Sequence, residues 1–143
     1  MNIREYAETD IDEVISLWKK CDLIVPWNNP EWDIERKLQV DRHLFLVGEH
    51  DHKIIASVMG GYEGHRRWIN CLAVNPEYRR RGYGKSMMTE VEARIKKMGC
   101  PKINLQVRAK NPDVIKFYQS LGFLDDNLIS LGKRLVKDPP HDR

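Results

Sequence analysis

The stretch from Trp68 to Lys85, W-I-N-C-L-A-V-N-P-E-Y-R-R-R-G-Y-G-K, constrains this chain more than any other. It begins as a strand: Trp68, Ile69, Leu72 and Val74 form a short apolar run, and Asn75-Pro76 stops it. It ends as a helix: Met87, Met88, Val91, Ile95 and Met98 recur at helical spacing after Gly84. Between the two lies a basic, glycine-bearing turn, Arg79 to Gly84. This order suits an anion. Glycines let the backbone approach closely, and the first N–H groups of a helix have no internal partner. Those donors and the positive end of the helix dipole favour negative charge. Arg79, Arg80, Arg81 and Lys85 add cations, and guanidinium matches phosphate geometry.

The spacing narrows which phosphate. A Walker loop needs a glycine where Arg79 stands, and a Rossmann fingerprint needs one where Met87 stands. Arg79-x-x-Gly82-x-Gly84 instead resembles the coenzyme A loop of the GNAT family of N-acetyltransferases, whose pattern is Gln/Arg-x-x-Gly-x-Gly/Ala. A second segment, Asn111 to Phe123 (N-P-D-V-I-K-F-Y-Q-S-L-G-F), is similar to that family's Asn-x(6)-Tyr…Gly-Phe element. Two independent motifs in the right order carry the resemblance, which extends over almost the whole chain.

With 143 residues, the chain is long enough for one domain with its own core. A net charge of +3 does not give a general nucleic-acid footprint. Cys21, Cys71 and Cys100 form no metal-ligand spacing, and scattered thiols fit a reducing cytoplasm. No apolar run reaches ~18 residues, so no membrane span is expected. No metal is expected either, because the five histidines are scattered. The domain is expected over residues 1–136, with a disordered tail at 137–143.

The remaining elements follow in order. Ile3 to Tyr6 reads as a strand. Asp10 and Glu13 read as a capping box before a helix bearing Ile11, Val14, Ile15 and Trp18. A second helix starts near Pro30, with Trp32, Ile34, Leu38 and Val40 as its apolar face. Leu44–Glu49 and Lys53–Gly60 form a hairpin through His50-Asp51-His52. Ile103, Leu105 and Val107 alternate as a strand. Asn111-Pro112 opens another helix, and Leu128 to Val136 supplies a final strand or two. The order β-α-α-β-β-β-α-β-α-β implies an α/β, mixed-sheet single domain flanked by helices. That is also the acyl-CoA N-acyltransferase fold the resemblance implies.

The resemblance implies acetyl-CoA as acyl donor and roles for particular residues. Leu72, Ala73 and Val74 would splay from the neighbouring strand and pair with the pantetheine amides. One N–H, from about Val74, would polarise the thioester carbonyl. Arg79, Arg80, Arg81, Gly82, Tyr83, Gly84 and Lys85 would hold the phosphates. Asn111 would contact the coenzyme as well as cap its helix, and Tyr118 would stand beside the coenzyme sulfur as acid. On the residues alone, the arginines also suit a solvated turn, and Tyr118 also suits simple packing.

The chemistry implied is direct attack of a primary amine on acetyl-CoA in a ternary complex. L-Q-V-R-A-K-N (Leu105 to Asn111) resembles the L-E-V-R-x-x-N segment of enzymes that acetylate ribosomal-protein N-termini, but Gln106 replaces the Glu proposed there as base and cannot take a proton. Glu63 is the substitute expected as catalytic base, with His65 behind it. An α-amine, of pKa ~8, is about one-tenth neutral at pH 7 and needs a base least. A small amine is therefore expected as acceptor, with a peptide N-terminus as the alternative, meeting Trp27, Asn28, Asn29, Glu31, Trp32 and Asp33. A non-catalytic acyl-CoA-binding module is the alternative of another class, and an RNA or phosphate binder using Arg79–Arg81 the weakest. Edge strands of such a sheet need cover, so a homodimer is among the expected assemblies.

Overall fold

Alternation from Leu44 to Val47 divides the core in two. The computed structural model describes residues 1–62 and 66–140. Phe45 and Val47 face one helix layer, while Leu44 and Leu46 face the other, all of them fully buried. This is the period-two signature of a sheet covered on both faces. The sheet has five strands in the order β1 (Asn2–Glu5), β2 (Phe45–His50), β3 (Lys53–Tyr62), β4 (Arg67–Val74) and β5 (Ile103–Leu105). Neighbours are antiparallel except β4 and β5, which are parallel and joined by α3 (Tyr83–Lys97). The β2–β3 turn carries Asp51 at φ 51° and His52 at φ 62°, two left-handed residues as a two-residue hairpin requires.

One face is covered by α1 (Ile11–Lys20) and α2 (Pro30–Lys37), which bury Val14, Ile15, Leu17, Trp18 and Ile34. The other is covered by α3 through Met87, Met88, Val91 and Ile95. Phe117 and Tyr118, from α4 (Pro112–Ser120), pack against that second cluster. The mixed sheet flanked by helices is therefore the architecture expected.

Several local expectations need correction. Asp10 makes no side-chain cap on α1. Its carboxylate takes two bonds from the Arg4 guanidinium, at 2.7 and 2.9 Å, and one from Ala7 N–H. Glu13 reaches β3 instead, accepting from Ile54 N–H at 3.0 Å. Charged and tertiary partners outcompete the local cap. Trp32 and Val40 are exposed, because α2 is short and buries only Pro30 and Ile34. β5 ends at Leu105, leaving Val107 outside it. Leu128–Val136 is not a strand. Its apolar residues come in doublets, Leu128-Ile129 and Leu135-Val136, which cannot all face one side of a sheet. They stay exposed, and the flanking segment is held by side chains, Lys102 to Asp126 and Gln106 to Ser130. Asp138 is buried and accepts from Asn29 N–H at 3.1 Å and from Arg36 at 2.6 Å.

Candidate functional site

The helix that starts after the basic turn has an open N-terminus. Gly82 is its N-cap, at φ +79°, and no side chain caps the first turn. Ser86 turns both its N–H and its hydroxyl back onto the Gly82 carbonyl, each at 3.0 Å. The N–H groups of Tyr83, Gly84 and Lys85 thus keep the unpartnered direction that helix starts impose. Arg80 is also left-handed, at φ 64°. Left-handed residues alternating with others gather N–H groups into a concavity that suits an anion. The two glycines serve different ends. Nothing would obstruct a Cβ on Gly82, where the left-handed backbone is the constraint. Gly84 instead gives room to α4, because its Cβ would lie 3.1 Å from the Phe117 ring.

The cations around this turn are not equivalent. Arg79 Nε donates to the Val74 carbonyl at 3.1 Å, so its side chain folds back on the strand. Arg81 lies over the Tyr78 ring at 5.2 Å, and Lys85 is exposed in the first turn of α3. Tyr83 is half-buried, 6.3 Å from the His50 ring.

Beside this helix the sheet opens. β4 pairs with β5 only through Arg67, Trp68 and Ile69. From Asn70 to Val74, among the described residues, it runs on with β3 alone as its ladder partner. On that side Ser57 pairs with Ala73 and Met59 with Asn70, so Cys71 and Leu72 together oppose Val58. This is a β-bulge, and Cys71 sits in it at φ 52°. A non-glycine residue in that region costs about 1–3 kcal/mol, which the surrounding contacts must offset. Leu72 thus completes the bulge, and Ala73 and Val74 carry the strand, with one edge open, to the turn that leads to α3.

Tyr118 approaches the same place from α4. It is half-buried and meets the Phe117 and Phe123 rings edge-on, at 5.1 and 5.6 Å. Burial, with a smaller electrostatic effect of Cys71, pushes its phenol up to about 12. Burial likewise pushes the Cys71 thiol up to about 12, and Asp33 acts on it in the same direction. Tyr118, Cys71 and Asp33 are therefore electrostatic neighbours, drawn from α4, β4 and α2. Burial, and secondarily Asp138, raises the Asp33 carboxyl, while Arg36 and Arg134 act against that. Sequence reasoning placed Asp33 in the acceptor region but missed its link to Cys71. Only the packing of α2 over the sheet creates that link.

The other expected residues are placed less centrally. Asn111 is the N-cap of α4, but its side chain makes no cap bond and is exposed. Gln106 is exposed and donates to Ser130 Oγ at 2.6 Å. Glu63 and His65 lie outside the described residues. On the α2 side, Arg108 lies 6.0 Å over Trp27, and Trp27 with Gly132–Val136 lines an open cavity of about 480 Å³. Among the described residues, no group of three or more His, Cys, Asp or Glu side chains is placed to hold a metal. No helix among the described residues is long and apolar enough to cross a membrane.

Comparison with known proteins agrees with this geometry. Residues 11–123 match the model of the acetyltransferase (GNAT) family. An acetyltransferase of Sodalis glossinidius is 48% identical over 139 residues, covering 96% of this chain and 98% of its own. The ribosomal-protein-S18-alanine N-acetyltransferase from Escherichia coli is 25% identical, with a TM-score of 0.73, over 85% of this chain and 76% of that one. AAC(6')-Iy, solved with the bisubstrate analogue CoA-S-monomethyl-acetylneamine, is 22% identical with a TM-score of 0.76, over 93% and 97%. An uncapped helix start, an open strand edge and this match together mean that the chain belongs to the GNAT family, as an acetyl-CoA-dependent N-acetyltransferase.

Proposed function

We propose that this enzyme moves the acetyl group of acetyl-CoA to a primary amine by direct attack in a ternary complex formed at the β4–β5 opening. The observation that carries the reading is the stretch Asn70–Val74, unpaired toward β5 and ending beside the uncapped start of α3. In this reading the pyrophosphate sits on the N–H groups of Tyr83, Gly84 and Lys85, flanked by Arg80, Arg81 and Lys85. Arg79 braces the strand end. Pantetheine lies along Leu72, Ala73 and Val74, and Asn111 contacts it from α4.

The amine enters from the α2 side, where Asp33 attracts its charge. Its nitrogen attacks the thioester carbon, the C–S bond breaks, and sulfur leaves with the bonding pair. The nitrogen loses one proton and the thiolate gains one. Tyr118, at about 12, stays neutral across the working range and donates a hydrogen bond to the departing sulfur. Full transfer from a phenol at about 12 to a thiol of pKa ~8.5 is uphill by more than a thousandfold. The proton on sulfur therefore comes ultimately from the amine, with Tyr118 as relay. Cys71, also at about 12, is too poor a nucleophile to carry the acetyl group, which favours direct transfer.

A peptide N-terminus is the second acceptor class, favoured by the likeness to the S18-alanine enzyme. Gln106, tied to Ser130 and unable to take a proton, favours the small amine. Glu63 remains the candidate base on its sequence position alone. The apolar residues exposed between Leu124 and Val136, beside β5, would be covered in a homodimer.

The test is thiol release from acetyl-CoA across polyamines, amino acids, aminoglycosides and peptides with free or blocked N-termini. Initial velocities should intersect when both substrates are varied. Parallel lines would overturn direct transfer. Coenzyme binding without release on any acceptor would favour a non-catalytic module.

A further inference from the structure

Two carbonyls bracket the free stretch of β4, and both are held from α1. Cys71 O accepts from Ser57 Oγ at 3.2 Å, and Ser57 Oγ accepts from Trp18 Nε1 at 2.9 Å. Val74 O accepts from Cys21 Sγ at 3.3 Å and from Arg79 Nε at 3.1 Å. Trp18 and Cys21 are three residues apart, so they share one face at the end of α1. Ser57 and Trp18 are fully or almost fully buried.

The direction of the first chain is fixed by chemistry. An indole only donates and a carbonyl only accepts. The Ser57 hydroxyl must therefore receive from Trp18 and spend its one proton on Cys71. Cys71 is the left-handed residue of the bulge, and its carbonyl orientation decides where the next N–H groups point. A strand with no ladder partner on one side has few other means of fixing those groups.

From this we infer that Ser57 is a positioning residue for acetyl transfer. Backed by Trp18, it locks the Cys71 bulge so that the outward N–H of Val74 stays aimed at the bound thioester. Cys21 and Arg79 hold the far end. The inference rests on the proposed seat of the coenzyme along β4. It adds that the rate, more than the affinity, depends on a serine of β3 that touches neither substrate.

The experiment pairs Ser57→Ala with Ser57→Thr, which keeps the hydroxyl. Steady-state rates with the best acceptor are measured together with the Kd of CoA, which lacks the acetyl carbonyl. Ser57→Ala is expected to lower kcat by about 10- to 100-fold, below the full cost of losing an oxyanion donor. The KM for acetyl-CoA and the Kd for CoA should stay within about threefold, because most coenzyme contacts are elsewhere. Ser57→Thr should recover most of the rate. Backbone amide exchange gives a readout that needs no activity. In Ser57→Ala, exchange at Ala73 and Asn75, whose N–H groups face β3, should quicken while that of Leu46 and Val47 in β2 stays unchanged. An unaltered kcat overturns the inference, and so does unaltered exchange at Ala73 and Asn75. Equal losses in kcat, CoA affinity and overall protection also overturn it, since they mark a general packing role. If CoA binds elsewhere, the coenzyme reading itself fails, and exchange still reports on Ser57.

Discussion

Gly84 in α3 and Phe117 in α4 are in such close approach that a methyl group on the glycine would come 3.1 Å from ring Cζ. The residue before Tyr118 is thus seated on the first turn of the candidate phosphate helix. Gly84→Ala should push α4 away by a few tenths of an ångström. A cost of about 1–2 kcal/mol in stability is expected, within the range for overpacking. A fall of roughly tenfold in kcat should accompany it, because small displacements of catalytic groups are expensive. Thermal unfolding and steady-state kinetics check both.

Gly82 should behave differently. Its surroundings are open but its φ is +79°. Gly82→Ala is expected to cost about 1 kcal/mol from backbone strain alone. Gly82→Glu places a carboxylate where the anion should bind and should weaken CoA at least a hundredfold. Calorimetric titration of CoA into the two variants separates strain from charge.

Tyr118→Phe should lower kcat by about 10²-fold with little change in the KM for acetyl-CoA, as removal of a proton relay does. The phenol is raised from 10 to about 12 by burial. Stability from keeping it neutral is complete below pH 10 and is lost as pH rises from 10 toward 12. The Phe variant should therefore lose less stability than the parent between those values. No ionisation of Tyr118 should appear in the rate profile below about pH 10. Alkaline unfolding curves and pH–rate profiles test this.

Asp33→Asn should raise the KM for a cationic amine by about tenfold and leave the KM for acetyl-CoA unchanged, the loss of one partly desolvated charge contact. Kinetics with a diamine and with a neutral-pH, weakly basic amine check it, since only the former should respond.

Away from the site, Arg4 holds the Asp10 carboxyl below its usual value, mainly by hydrogen bonding and against the opposing effect of burial. That contribution is complete above the unfolded value near 3.9 and fades as pH falls through the lower folded value. Asp10→Asn should cost about 1–2 kcal/mol at pH 7, since Arg4 is one-third exposed and keeps Glu49. Its stability should vary less with pH below 4. Denaturant unfolding at pH 3 and 7 checks the sign.

The sequence made much of this legible because several of its signals are local. Gly82 and Gly84 after an apolar strand mark the turn, Pro30 and Pro112 mark helix starts, and alternation marks β2 and β3. What stayed hidden is set by tertiary contacts. Glu13 has a capping spacing, yet the Ile54 amide takes its carboxylate. Leu128–Val136 has strand composition, yet its apolar doublets leave it without a ladder. The Cys71 bulge shows no glycine, so nothing in the pattern announces a left-handed residue there. The motif marks Arg79 as a phosphate ligand and cannot show that its Nε also donates to the Val74 carbonyl.

The central claim is that acetyl-CoA lies between the free edge of β4 and the start of α3. At 16.8 kDa, the chain suits a backbone amide map in solution before and after addition of CoA. The account predicts the largest shifts at Leu72–Val74 and Gly82–Lys85, with smaller ones at Asn111 and Tyr118. Shifts concentrated around Trp27 and Gly132–Val136, with Gly82–Lys85 unmoved, would contradict it.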